Sequence, residues 1–381
     1  MLMHVALAWP AELLVHPSPL PGLQHGNSRT SHALLVTAGT PAARSALQRK
    51  LNNPPCYFTA CISPAMALAV RSRLLPASYA STTFAPYPEL VRAANFVKRP
   101  HRDAVLTTYA LMAEIWQLPI LTRCNASAAA LRLQFWRDML LQCSTQAASG
   151  AATGAHPLMS ALQSLAAERP AACEHLLQAV EAKAAMWEHT MPQPATIDAL
   201  QTAAAECGGP FVAAALASHG LNTRHEGVGQ VAMRVGAAVD LLHNLTRARV
   251  LAGGEAIVLP VEMIDTLECS EQQYMRWVNA VPAAADATAS SEPLPDLDEG
   301  FRYLASVAVD ALQAAEQARQ SLPPECQSDV ISGCSVAGVA RFWANDATAR
   351  GWQAVVSSTH TAPGFRLLWP LIRQALTNRL A

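Results

Sequence analysis

Charge is scarce in this sequence. Only 14% of its 381 residues are Asp, Glu, Lys or Arg, and 27 bases against 28 acids leave a formal net charge of −1. A nucleic-acid surface needs clustered cations and a polybasic membrane tether needs a run of them, so neither partner is expected. Aromatic residues stand at 6%, β-branched residues are sparse, and no apolar–polar alternation persists beyond a few residues. These shortages exclude a strand-built fold and leave an all-α chain. No apolar run of about 18 residues is free of charge and proline, so a spanning helix is not expected. The nine cysteines are scattered without any Cys-x-x-Cys. They read as small buried hydrophobes of a reduced compartment, not as a disulfide frame or zinc site.

Familiar catalytic strings are missing as well. There is no P-loop, no His-Glu-x-x-His and no Gly-x-Ser-x-Gly, and no two histidines stand four apart as zinc ligands on a helix would. Gly227-Val-Gly-Gln-Val-Ala232 matches a loose dinucleotide pattern, but Leu221-Asn-Thr-Arg-His225 before it is loop. Without a strand to deliver the glycines, the match is chance. Asp296-Leu-Asp-Glu299 is the densest acidic cluster, and its place before a helix reads as dipole compensation.

Acids are rarest at the start. Up to Pro88 the only one is Glu12, against Arg29, Arg44, Arg49, Lys50, Arg71 and Arg73 among Ser, Thr, Ala and Pro. That is the composition of an organellar transit peptide, and residues 1–87 are expected to form such a leader with little order. Met66-Ala-Leu-Ala-Val-Arg-Ser-Arg-Leu-Leu-Pro-Ala-Ser-Tyr79 reads as a compact mitochondrial presequence by itself, so translation starting at Met66 is a sharper expectation. Residues 88–381 are expected to make one helical domain, with the linker-like 281–297 as a loop insertion.

What is present is helical periodicity. Leu131, Phe135 and Met139 recur at four-residue intervals, widened by Trp136 and Leu140, while Arg132, Gln134, Arg137 and Asp138 take the other side. The stretch predicts an amphipathic helix with that stripe buried. A helix from about Arg102 ends before Pro119. Another from Thr196 is expected to break at Cys207-Gly-Gly-Pro210 and resume at Phe211. A long helix over about 229–251 is expected to close on Gly253-Gly254.

Several strings, in order, carry a resemblance. Arg102-Asp-Ala-Val-Leu-Thr-Thr-Tyr109, Arg132-Leu-Gln-Phe-Trp-Arg-Asp138, Asn244-Leu-Thr-Arg247 and Ile257-Val-Leu-Pro-Val-Glu-Met263 are similar to segments of the squalene/phytoene synthase family. The resemblance implies an isoprenoid-synthase-like, all-α single helical domain. It also implies a pocket whose candidate residues are Arg102, Tyr109, Glu114, Gln134, Arg137, Asp240, Asn244 and Arg247.

The family's chemistry ionises an allylic diphosphate, and magnesium must bridge the leaving group to carboxylates set four apart on two helices. By the family's spacing the first pair falls at Trp116-Gln-Leu-Pro-Ile120 and the second in Ala248-Arg-Val-Leu-Ala-Gly-Gly254. Neither stretch holds an acid. No catalytic residue, no metal and no cofactor are therefore expected. With Glu89-Leu-Val-Arg92 and the leader, this resembles the branch of the family typified by complex I assembly factor 6. That implies a pseudoenzyme at the mitochondrial matrix or matrix face of the inner membrane, with peripheral membrane association. Its partners would be complex I subunits or other assembly factors, and its relic pocket would hold a lipid or isoprenoid. The alternative is an active prenyltransferase using magnesium through Glu114, Gln117 and Asp240; a third reading is a plain helical adaptor.

Overall fold

Proline and small polar residues set the helix boundaries. In the computed structural model, Pro88 opens one helix, Pro100 lies in the first turn of the next and Pro119 begins a short one, where the missing N–H costs nothing. Thr196 caps another by accepting a hydrogen bond from the Ala199 N–H at 3.1 Å, and Ser270 with Gln273 forms a capping box. The structure describes residues 72–146, 156–188, 193–280, 296–357 and 364–380, which fall within one unit, Thr59–Ala381. Residues 1–71 and most of the expected 281–297 loop lie outside the described residues.

Every regular element among the described residues is a helix. In order they are α1 (Ala77–Thr83), α2 (Pro88–Asn95), α3 (Arg99–Trp116), α4 (Leu118–Leu121), α5 (Ala126–Gln146) and α6 (Met159–Glu168). Then come α7 (Pro170–Glu188), α8 (Ile197–Ser218), α9 (Glu226–Thr246), α10 (Ala248–Ala252), α11 (Val261–Thr266) and α12 (Glu271–Asn279). The last are α13 (Leu297–Gln320), α14 (Pro324–Gly333), α15 (Ala337–Arg350), α16 (Trp352–Ser357) and α17 (Gly364–Thr377). Helix α9 is the hub: it packs on α8, α13 and α15, while α8 also packs on α7 and α3. No described helix is long and apolar enough to cross a membrane.

Four sequence expectations change. The folded part begins before Pro88, because α1 and the buried Ala80, Phe84 and Tyr87 belong to the core. Helix α8 does not break at Cys207-Gly-Gly-Pro210. A Cβ on Gly208 would stand 2.1 Å from the Gly236 carbonyl oxygen, and one on Gly236 would stand 2.2 Å from the Gly209 nitrogen. The glycines are the contact that lets α8 and α9 touch backbone to backbone, and that packing outweighs the hydrogen bond lost at Pro210.

The long helix after residue 226 turns at Arg247 (φ −106°, ψ 11°), so that α10 is separate. The left-handed residue beyond it is Glu255 (φ 62°), not Gly253 or Gly254. Turning there lets the Arg247 guanidinium donate to the Pro86 carbonyl at 3.2 Å. In α5 the buried line is Ala129, Leu133, Trp136, Leu140 and Cys143, joined by Met139, so that Trp136, Met139 and Leu140 of the expected stripe are buried while Leu131 and Phe135 are 73% and 47% exposed. The helix carries two apolar lines, and α6 and α7 cover the one spaced 4-3-4-3.

Candidate functional site

The ends of α3 and α9 meet beside α7, where the two acid-free stretches lie. Apolar and aromatic residues have taken the space. Trp116 stacks on His243 with ring centroids 4.1 Å apart and planes 11° from parallel. Tyr87 packs edge-on against Trp116 at 5.3 Å and its hydroxyl donates to the Trp116 carbonyl at 2.9 Å. The Arg247 guanidinium lies 5.0 Å from the centroid of that Tyr87 ring. What is left is a cavity of about 20 Å³ lined by Ile115, Ile120, Lys183, Trp187, Asn244 and Arg247 among others. It has room for about one water molecule.

The polar side of this cavity is a closed set. Lys183 Nζ donates to Asp240 Oδ1 at 2.8 Å, and Asn244 Nδ2 donates to Asp240 Oδ2 at 3.1 Å. Lys183 and Asp240 are both buried. Burial alone would favour neutral lysine, but the Asp240 carboxylate and the adjacent Cys207 thiol outweigh it and hold the ammonium charged. Burial pushes the Cys207 thiol up to about 11. A short step away on α2, burial raises the Glu89 carboxyl to about 7, an effect that Arg247 and Arg92 only partly offset.

Magnesium does not fit this donor set. The ion wants about six hard oxygens, and both oxygens of Asp240 are committed to Lys183 and Asn244. Among the described residues no group of three or more His, Cys, Asp or Glu is arranged to hold a metal.

Of the candidate residues read from the sequence, Asp240, Asn244 and Arg247 come together here. The others do not. Arg102 donates to the Asn95 and Val97 carbonyls at 3.0 and 3.5 Å, closing the end of α2. Buried Tyr109 hydrogen-bonds Ser335 Oγ at 3.0 Å. Glu114 accepts from Tyr79 Oη at 2.8 Å and Thr83 Oγ1 at 3.2 Å. Gln134 donates to Asp138 at 2.7 Å on the exposed side of α5, and Arg137 pairs with Glu181 at 3.4 Å.

Sequence reasoning missed Lys183, His243, Tyr87 and Trp343, whose ring centroid is 5.9 Å from that of Trp116. A signal for Lys183 existed. It is the only Lys or Arg of α7, one turn from Ala179, Val180 and Trp187, and a base in an apolar stripe demands a buried acid.

Residues 87–346 match the squalene/phytoene synthase family. The chain belongs to that family. Its fold is similar to that of a dehydrosqualene synthase solved in complex with a ligand, with a TM-score of 0.58 and 14% identity over 78% of this chain and 94% of that one. At that identity the likeness shows the isoprenoid-synthase-like fold alone. No curated protein sequence matches the chain. The matched residues include α3, α7 and α9, and the ion pair and the aromatic stack lie where these helices meet.

Proposed function

We propose that this chain is a non-catalytic member of the squalene/phytoene synthase family that acts in assembly of respiratory complex I. It works through contacts with complex I subunits or other assembly factors. The observation that carries the reading is the Lys183 ammonium seated on Asp240 at 2.8 Å. Where prenyl-diphosphate ionisation needs divalent metal on carboxylates, this chain sets its own cation on Asp240, whose second oxygen Asn244 takes. The cavity of about 20 Å³ beside it cannot take a prenyl chain. The acid-poor leader supports a mitochondrial location, at the matrix or the matrix face of the inner membrane, and no cofactor is invoked.

Depletion of the protein followed by native-gel analysis of the respiratory chain tests the role. Complex I is expected to fall while the other complexes persist; an unaltered complex I overturns it. Magnesium-dependent turnover of labelled farnesyl or geranylgeranyl diphosphate by the purified chain would instead establish the prenyltransferase alternative.

A further inference from the structure

A larger open space lies elsewhere. A trench of about 630 Å³ runs along α9 between α8 and α13. Its floor and walls are alanine-rich, with Ala205, Ala237, Ala308 and Ala311 facing one space from three helices. None of these side chains reaches across, so the trench stays open although the same helices touch backbone to backbone at Gly208 and Gly236. Its exposed lining is mixed: Met233 is 40% and Tyr303 51% exposed, and the polar Gln201 and Thr202 are exposed on the α8 side. Arg234 and Asp310 also line it. The Arg234 guanidinium donates to the Ala314 carbonyl at 2.7 Å, which places this charged pair toward the Ala314 end. Neither has an ion partner among the described residues.

We propose that this trench binds an amphipathic helix of a partner protein, apolar stripe down, with a basic residue facing Asp310 and an acidic one facing Arg234. The inference rests on the reading that the chain works by protein contact, and it names the surface. Size supports it. From Tyr303 to Ala314 the wall is about 16 Å long at 1.5 Å per residue, or three helical turns. Anchors at i, i+3 or i+4, and i+7 span about two turns, so such a helix fits within that length.

Chemistry supports it too. Small residues let helices approach closely, and methionine and tyrosine at the lips are the side chains that interfaces favour. A hydrocarbon ligand is less well served. Small-molecule sites enclose most of their occupant, whereas this trench is open along its length.

Depletion and rescue with the full chain tests the trench. Ala237→Trp fills the floor and Asp310→Lys reverses the lip charge. Each is expected to lose the ability to restore complex I while the purified variant keeps the wild-type melting temperature. Full restoration by Ala237→Trp overturns the proposal. A photo-crosslinker placed at Met233, with Leu376 as control position, reads the occupant. The expected product is a peptide of another protein with apolar residues at i, i+3 or i+4, and i+7, together with a Lys or Arg. A synthetic copy of that peptide should bind the purified chain and lose affinity to Asp310→Lys, with recovery when the peptide's base is changed to Glu. Cross-links to lipid only, or to a second copy of this chain, overturn the proposal. If depletion leaves complex I intact, the assembly reading fails instead, and the Met233 cross-link with the charge swap decides the trench alone.

Discussion

Lys183 and Asp240 join α7 to α9 through a buried ion pair of 2.8 Å, with Asn244 satisfying the second carboxylate oxygen at 3.1 Å. A buried pair gains little over a well-packed apolar pair, because desolvating both charges offsets their attraction, but half of one is costly. Lys183→Met is therefore expected to destabilise the chain by about 3–5 kcal/mol, since Asp240 is left buried without its ammonium. The double variant Lys183→Met with Asp240→Leu is expected to recover most of that loss. Urea denaturation of both variants checks it; a double variant as unstable as the single one would show that the pair does more than neutralise itself.

Two buried titrating groups oppose one another in their effect of pH on stability. His219 is held down to about 4, by burial first and then by His101, with Lys98 adding to the effect and Asp329 opposing it. Its ring packs 4.2 Å from that of His101 and its Nε2 hydrogen-bonds Ser332. As pH falls from 6.5 to 4 the unfolded chain takes up a proton that the folded chain refuses, so stability is lost on acidification, by about 3 kcal/mol. Glu89, raised to about 7, acts the other way. The folded chain keeps a proton that the unfolded chain releases above 4.5, so this contribution is complete below 4.5 and is lost as pH rises to 7, again by about 3 kcal/mol.

Between about pH 4.5 and 6.5 these two contributions oppose one another, while His101 and His156, also held below the usual imidazole range by burial, add to the loss on acidification. Relative to wild type, His219→Gln should make the urea midpoint fall more with rising pH, and Glu89→Gln make it rise more. Parallel slopes in the two variants would refute the assignment.

Much of this architecture is legible in the sequence. Pro119, the Thr196 cap and the periodicity of the long helices follow from local chemistry that tertiary contacts do not override. The Asn244-x-x-Arg247 string carries the site because Asn244 lies in the last turn of α9 and Arg247 follows directly as its C-cap. What local chemistry cannot reveal is which long-range partner a residue meets. Gly208 reads as a helix breaker until Gly236 is opposite it. Arg102 and Arg137 read as cations for a headgroup until the Asn95 carbonyl and Glu181 take them. Lys183 and Asp240 lie 57 residues apart, and no short pattern links them.

Gly236→Ala tests the crossing that rescues α8 from Pro210. Its Cβ would stand 2.2 Å from the Gly209 nitrogen and 2.3 Å from the Gly208 carbonyl carbon, and both are backbone atoms that cannot rotate away. The helices must separate. The expected cost is about 3 kcal/mol, at the upper end for overpacking, although alanine is intrinsically the better helix former by about 1 kcal/mol. Thermal melting distinguishes these effects, since a raised melting temperature would mean that propensity, not the crossing, governs the position.

Leu131 and Leu133 separate the two apolar lines of α5. By four-residue spacing Leu131 belongs with Phe135 and Met139, yet it is 73% exposed whereas Leu133 is 1% exposed. Leu133 shares its line with Trp136 and Leu140, over which α6 and α7 close. Leu131→Asp should thus shift stability by no more than about 0.5 kcal/mol, as surface changes do. Leu133→Asp should cost about 3 kcal/mol or more, because it both removes packed methyls and buries a carboxylate. If Leu131→Asp proved the costlier in urea denaturation, the stripe read from periodicity would be the buried one after all. If it proved harmless to stability but weakened complex I assembly, Leu131 and Phe135 would form a contact surface separate from the α9 trench.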